Sequence, residues 1–137
     1  MKKYSLFLFF GLALTLFSCS KETDPIEDFV GNWTAEDKWT VNNTTTTRNY
    51  NFTVSRGMDD SEIQFNGFAE ITGGSLTATR NGRNFTIPQF EITITVDGEE
   101  MEGSFSASGS VDGNKMTYTY TYTAGMLSQV WEGEATK

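Results

Sequence analysis

Few residues in this chain can do chemistry, and their types exclude a good deal. The sequence contains no His, and its one Cys is Cys19. Nucleophilic catalysis by Ser–His or Cys–His pairs, and metal binding through imidazole, therefore have no residues to work with. Carboxylates remain, in two clusters: Asp59-Asp60 with Glu62, and Glu99-Glu100 with Glu102. Two carboxylates cleave glycosides when a fold holds them about 5–10 Å apart. Both clusters lie at turn signals, where charge serves solvation, and Asp59, Asp60 and Glu62 lack the spacing and the Gly of an ordered calcium loop. The expectation is a chain that is not an enzyme, with no catalytic residue, no metal site and no cofactor.

Binding is the chemistry that the other side chains suit. If the odd positions of 33–41 share a face, Trp33, Asp37 and Trp39 point the same way, with Ala35 between them. Gln129 and Trp131, with Leu127, form a second row, and Tyr118, Tyr120 and Tyr122 a third. Aromatic walls carrying a few placed polar groups suit a small hydrophobic ligand or a sugar. The alternative is that the same rows are plain core. The chain would then be an accessory or inhibitor-like interaction protein, meeting an outer-membrane partner through loops such as Arg56–Glu62.

These rows need strands to hold them. From Phe29 onward apolar residues alternate with period two. The dipeptides Asn42-Asn43, Arg56-Gly57, Gly73-Gly74, Asn81-Gly82, Asp97-Gly98, Asp112-Gly113 and Ala124-Gly125 punctuate the pattern. The spacing predicts eight strands, about 31–41, 46–56, 62–71, 75–80, 84–96, 100–110, 115–123 and 126–135. Two-residue turns at those dipeptides set Tyr118 opposite Ala107, Tyr120 opposite Phe105 and Phe90 opposite Phe105, with Ser and Thr on the other face. The apolar set switches parity between Phe85-Ile87 and Phe90-Ile92-Ile94, which predicts a bulge at Pro88-Gln89. The architecture expected is all-β: one antiparallel up-and-down meander closing into a barrel, since closure removes both edge strands, with a β-sandwich as the alternative.

The 137 residues suffice for one domain with a core. Lys2-Lys3 followed by the uncharged, mainly apolar run Tyr4–Phe17 has the layout of a secretory leader, and the run is shorter than the ~20 residues that span a bilayer. Without Lys2 and Lys3, the 10 basic and 18 acidic residues become 8 and 18, a charge of −10. Such a surface argues against nucleic acid and against charge-driven binding to anionic lipid. Leu16-Phe17-Ser18-Cys19 resembles the lipobox of bacterial lipoproteins. That resemblance implies cleavage before Cys19, acyl chains on it as the contact with the membrane, and a division into leader 1–18, lipidated Cys and polar tether 19–28, and β-domain 29–137. Two or more acyl chains anchor firmly where one is marginal. Ser20 resembles the residue of lipoproteins sorted to the outer membrane, and Lys21-Glu22 the short charged signal of Bacteroidetes lipoproteins exposed on the cell surface.

Gly31-Asn32-Trp33 resembles the Gly-x-Trp that opens lipocalins, whose Trp plugs the closed end of the barrel. The region after Cys19 is similar throughout to small lipocalin-like lipoproteins of Bacteroidetes, through Asn84-Phe85-Thr86-Ile87-Pro88 and through Gly113-Asn114-Lys115-Met116-Thr117-Tyr118-Thr119-Tyr120. Lipocalins often place an Arg late in the barrel against that Trp, and 126–135 contains none. The resemblance implies a calycin-type barrel and, by analogy, binding of small hydrophobic molecules.

Overall fold

A computed structural model describes residues 25–137 of the chain. The leader 1–18, Cys19 and the tether up to residue 24 lie outside the described residues. Residues 26–28, expected as the end of the tether, belong to a helical turn, α1 (Ile26–Phe29). Eight strands follow: β1 (Gly31–Val41), β2 (Thr44–Arg56), β3 (Glu62–Asn66), β4 (Ser75–Asn81), β5 (Asn84–Val96), β6 (Glu99–Asp112), β7 (Lys115–Ala124) and β8 (Leu127–Thr136). Each pairs antiparallel with the next, and β1 pairs with β8 from Thr34↔Thr136 to Lys38↔Glu132, so the sheet is a closed barrel. The up-and-down barrel is the expected architecture, and the sandwich is not formed.

Register follows the alternation, with an instructive shift. At Asp97-Gly98 both loop residues have positive φ, 52° and 85°, and Phe90 faces Phe105 as expected. Asn42 and Asn43, φ 48° and 63°, form the same primed turn between β1 and β2. Three other hairpins are offset by two residues from the expected pairing: Tyr118 faces Gly109, Tyr120 faces Ala107 and Tyr122 faces Phe105. Likewise Phe85 faces Arg80 where a turn at Asn81-Gly82 would set it against Ala78, and Trp131 faces Tyr120 where a turn at Ala124-Gly125 would set it against Tyr118. In those loops the glycine stands first, at Gly82, Gly113 and Gly125 with φ of 60°, 59° and 58°, and the residue after it keeps negative φ. That is the II′ arrangement, which needs one left-handed residue where I′ needs two. A shift of two leaves every side chain on its predicted face. The register break between Ile87 and Phe90 is the expected bulge.

The third strand is shorter than the 62–71 expected. It ends at Asn66, where Gly67 turns left-handed with φ 78°, and a 3-10 turn over Phe68–Glu70 carries the chain inward. Phe68 becomes fully buried, its ring 4.8–6.4 Å from those of Phe52, Phe65, Phe85, Phe105, Tyr118 and Tyr120. Ala69 and Glu70 take left-handed φ of 54° and 57° to allow this. Such strain costs about 1–2 kcal/mol per residue, which burial of a whole Phe, about 1.5–3 kcal/mol, largely offsets.

The other end of the barrel is closed. Ile26 and Phe29 are buried there, and Trp33 Nε1 donates to Phe29 O at 2.8 Å. Lys137 Nζ lies 5.0 Å from the centre of the Trp33 ring and donates to the carbonyls of Glu27, Asp28 and Val30. A Lys after β8 thus supplies the cation against this Trp. Ion pairs Arg56–Glu27 and Arg83–Asp28 tie α1 to β2 and to the β4–β5 turn.

Candidate functional site

Opposite the plugged end, the barrel keeps a cavity of about 750 Å³ at its mouth. The inward even positions of β5, Ile92 and Ile94, make one wall, and the inturned segment with Ala69, Glu70 and Ile71 makes another. Tyr122 of β7 and Gln129 and Leu127 of β8 complete the sides, with Leu127 half exposed at the rim. Asp97, in the β5–β6 turn, also lines the opening. Arg48 of β2 is the lining residue that connects this space to the interior.

Arg48 owes its place to the Asn42-Asn43 hairpin, which sets it directly across from Asp37. Asp37 is completely buried. Tyr118 donates its hydroxyl to Asp37 Oδ1 at 2.6 Å, and Tyr120 donates to Oδ2 at 2.5 Å. Arg48 Nη2 donates to the Tyr120 oxygen at 2.5 Å and lies 4.0 Å from Asp37 Oδ2, while Nη1 pairs with Glu70 Oε2 at 3.0 Å. The guanidinium lies 4.5 Å from the centre of the Trp131 ring, within cation–π range. Its Nε is buried without a hydrogen-bond partner among the described residues.

The same network holds the inturned segment. Tyr50 Oη accepts from the Ala69 N–H at 3.0 Å, and Tyr122 donates to Ala69 O at 2.8 Å. Burial pushes the ionisation of Tyr50, Tyr118, Tyr120 and Tyr122 above the usual phenol range, and the Asp37 carboxylate adds to the push. Burial works against the Arg48 charge, but Tyr120, Tyr122 and Glu70 beside it raise its pKa on balance. The phenols therefore serve as donors, and Arg48 stays cationic. Among the described residues no group of three or more carboxylate, Cys or His side chains could hold a metal ion.

The residues singled out in the sequence fall in three places. Trp33 belongs to the plugged end, away from the cavity. Asp37, Tyr118 and Tyr120 meet in the buried network, and Gly133 makes room for it: a Cβ there would strike the Tyr118 ring and sit 2.5 Å from Asp37 Oδ1. Trp39 and Trp131 stack at 5.9 Å, and Gln129, which accepts from Trp131 Nε1 at 3.3 Å, lines the cavity itself. Cys19 lies outside the described residues. Sequence reasoning passed over Arg48 and Glu70. Arg48 was legible, since it shares the even parity of Tyr50, Phe52 and Val54 and faces Asp37 across an Asn-Asn turn. Glu70 was not, because its position depends on the left-handed segment after Gly67.

No family model matches the chain, and neither does any curated protein. Among solved structures the chain is similar to a "putative outer membrane protein" from Bacteroides fragilis. The identity is 15%, the TM-score 0.49, and the match covers 83% of this chain and 53% of that one, so the chain spans about half of that protein's length.

Proposed function

We propose that this chain is a lipoprotein of the outer membrane whose barrel mouth binds a small ligand with an apolar body, a hydrophobic molecule or a sugar. The observation that carries the reading is the mouth cavity: about 750 Å³ falls within the 300–1,000 Å³ of small-molecule sites, and Ile71, Ile92, Ile94 and Leu127 give it apolar patches between polar groups such as Arg48, Glu70, Thr93, Thr95 and Gln129. The rest of the interior is packed with aromatic rings, so the remaining space is confined to one end.

The lipidation reading rests on the leader and on Leu16-Phe17-Ser18-Cys19. It also sets an orientation. Cys19 stands six residues before Pro25, a reach of at most about 22 Å, and α1 starts at the plugged end. Acyl chains on Cys19 would hold that end towards the membrane and leave the mouth facing away. Mass spectrometry of the mature protein should find Cys19 as the first residue, bearing acyl groups; an unmodified Cys19 overturns the anchor.

The binding test uses a chain starting at Ser20, which keeps every described residue. Hydrophobic ligands and oligosaccharides are titrated while Trp fluorescence is followed, because Trp131 contacts Arg48 and Gln129 and stacks on Trp39. A saturable change, weakened by Gln129→Ala, is expected. Silence across both panels refutes the ligand reading. Loop 56–62, which an interaction protein would use, has several of its polar groups engaged within the chain. Arg56 pairs with Glu27, and Asp59 Oδ1 accepts from Ser61 N and Oγ.

A further inference from the structure

We infer that the ligand of the mouth cavity carries a positive charge: an organic ammonium ion joined to an apolar chain. This rests on the reading that the mouth binds a small molecule. The charged side chains around the cavity are Arg48, Glu70 and Asp97. Arg48 is already compensated, with Glu70 at 3.0 Å on one nitrogen and Asp37 at 4.0 Å on the other. An anionic headgroup would have to displace Glu70 to reach it. Asp97 is exposed and has no ion pair among the described residues, and the Glu70 side chain is 48% exposed despite its pairing. With Asp37 beneath, three carboxylates stand against one guanidinium. A cleft bounded by the low-dielectric body of a packed barrel focuses that negative field and attracts cations.

The apolar part follows from Ile71, Ile92, Ile94 and Leu127, which offer a chain of methylenes somewhere to lie. A sugar is less well served. It would stack on an open aromatic face, whereas the Trp131 ring is covered by Arg48 at 4.5 Å, Trp39 at 5.9 Å and Tyr120 at 6.1 Å.

Three probes of one chain length separate the possibilities: decylammonium, decanoate and decanol, each below its micellar concentration, titrated into the Ser20 chain by Trp fluorescence. Decylammonium should bind about tenfold tighter than decanoate, since each partly exposed ion pair is worth up to about fivefold. The gap should narrow as salt rises. Glu70→Gln should weaken decylammonium and strengthen decanoate, because it frees Arg48. Asp97→Asn guards against a folding artefact, since Asn tolerates the left-handed φ of 52°, and it should weaken decylammonium while strengthening decanoate less than Glu70→Gln does, because Arg48 stays paired. Decanoate or decanol binding as tightly as decylammonium, or affinities indifferent to both variants, overturns the cation while leaving a ligand-binding mouth. Silence from all three removes the inference, and silence from an oligosaccharide panel as well removes the binding reading with it.

Discussion

Replacing Asp37 by Ala removes the acceptor on which the buried network converges, and the structure allows the cost to be worked out. Asp37 Oδ1 and Oδ2 each accept a phenol hydrogen bond, at 2.6 and 2.5 Å. Hydrogen bonds to a charged partner contribute about 1.5–3 kcal/mol each. The loss is less than their sum, because the Tyr120 oxygen keeps Arg48 Nη2 at 2.5 Å, Tyr118 keeps Tyr50 at 3.3 Å, and Arg48 keeps Glu70. Against that, Arg48 loses one of two counter-charges, and breaking a buried pair costs about 3–5 kcal/mol. The expected loss for Asp37→Ala is therefore about 3–5 kcal/mol, a third or more of a typical domain's stability. Asp37→Asn keeps the shape and one acceptor, and should cost about half as much. Tyr118→Phe combined with Asp37→Ala should cost less than the two single changes added together, since they share one bond. Equilibrium urea unfolding of the Ser20 chain, with the slope against denaturant unchanged, measures all of these. A loss below about 1 kcal/mol for Asp37→Ala, or a larger loss for Asn than for Ala, refutes the reasoning.

Three further outcomes follow from the same geometry. In the folded state Tyr50, Tyr118, Tyr120 and Tyr122 should resist ionisation above the ordinary phenol pKa near 10. Their contribution is full below that value and falls as pH rises above it, because the unfolded chain then releases protons that the folded one keeps; an absorbance titration in which these phenols ionise near 10 before unfolding contradicts the burial argument. Gly133→Ala should lower stability by about 1–3 kcal/mol or more, because the added Cβ meets the Tyr118 ring and Asp37 and the closed sheet leaves neither room to move; an unchanged melting temperature would contradict the close packing. Lys137→Met should cost about 1 kcal/mol through the lost contact with Trp33 and three carbonyls, read as a lower urea midpoint, whereas loss of binding at the mouth would be unexpected.

Facing in this protein was set locally. Alternation put Trp33, Asp37 and Trp39 on one side of β1 and Tyr118, Tyr120 and Tyr122 on one side of β7. The parity break at Pro88-Gln89 announced the bulge, because a proline cannot serve a ladder from its nitrogen. Even the Asp37–Arg48 pairing was implicit, since a two-residue Asn-Asn turn leaves one partner for each position. Pairing partners were less secure than faces: whether glycine stands first or second in a turn moves the register by two without turning any side chain over. What the sequence could not decide is how the barrel is filled. The residues after Gly67 read as a continuing strand, yet Ala69 and Glu70 adopt a backbone conformation that neither favours by itself. They hold it because Phe68 finds six rings inside a closed barrel and because Tyr50, Tyr122 and Arg48, brought there from β2 and β7, grip the segment. That insertion divides a solid core from an open mouth and brings Glu70 onto Arg48. Contacts between residues twenty to seventy positions apart create the cavity, so no local pattern could have shown it.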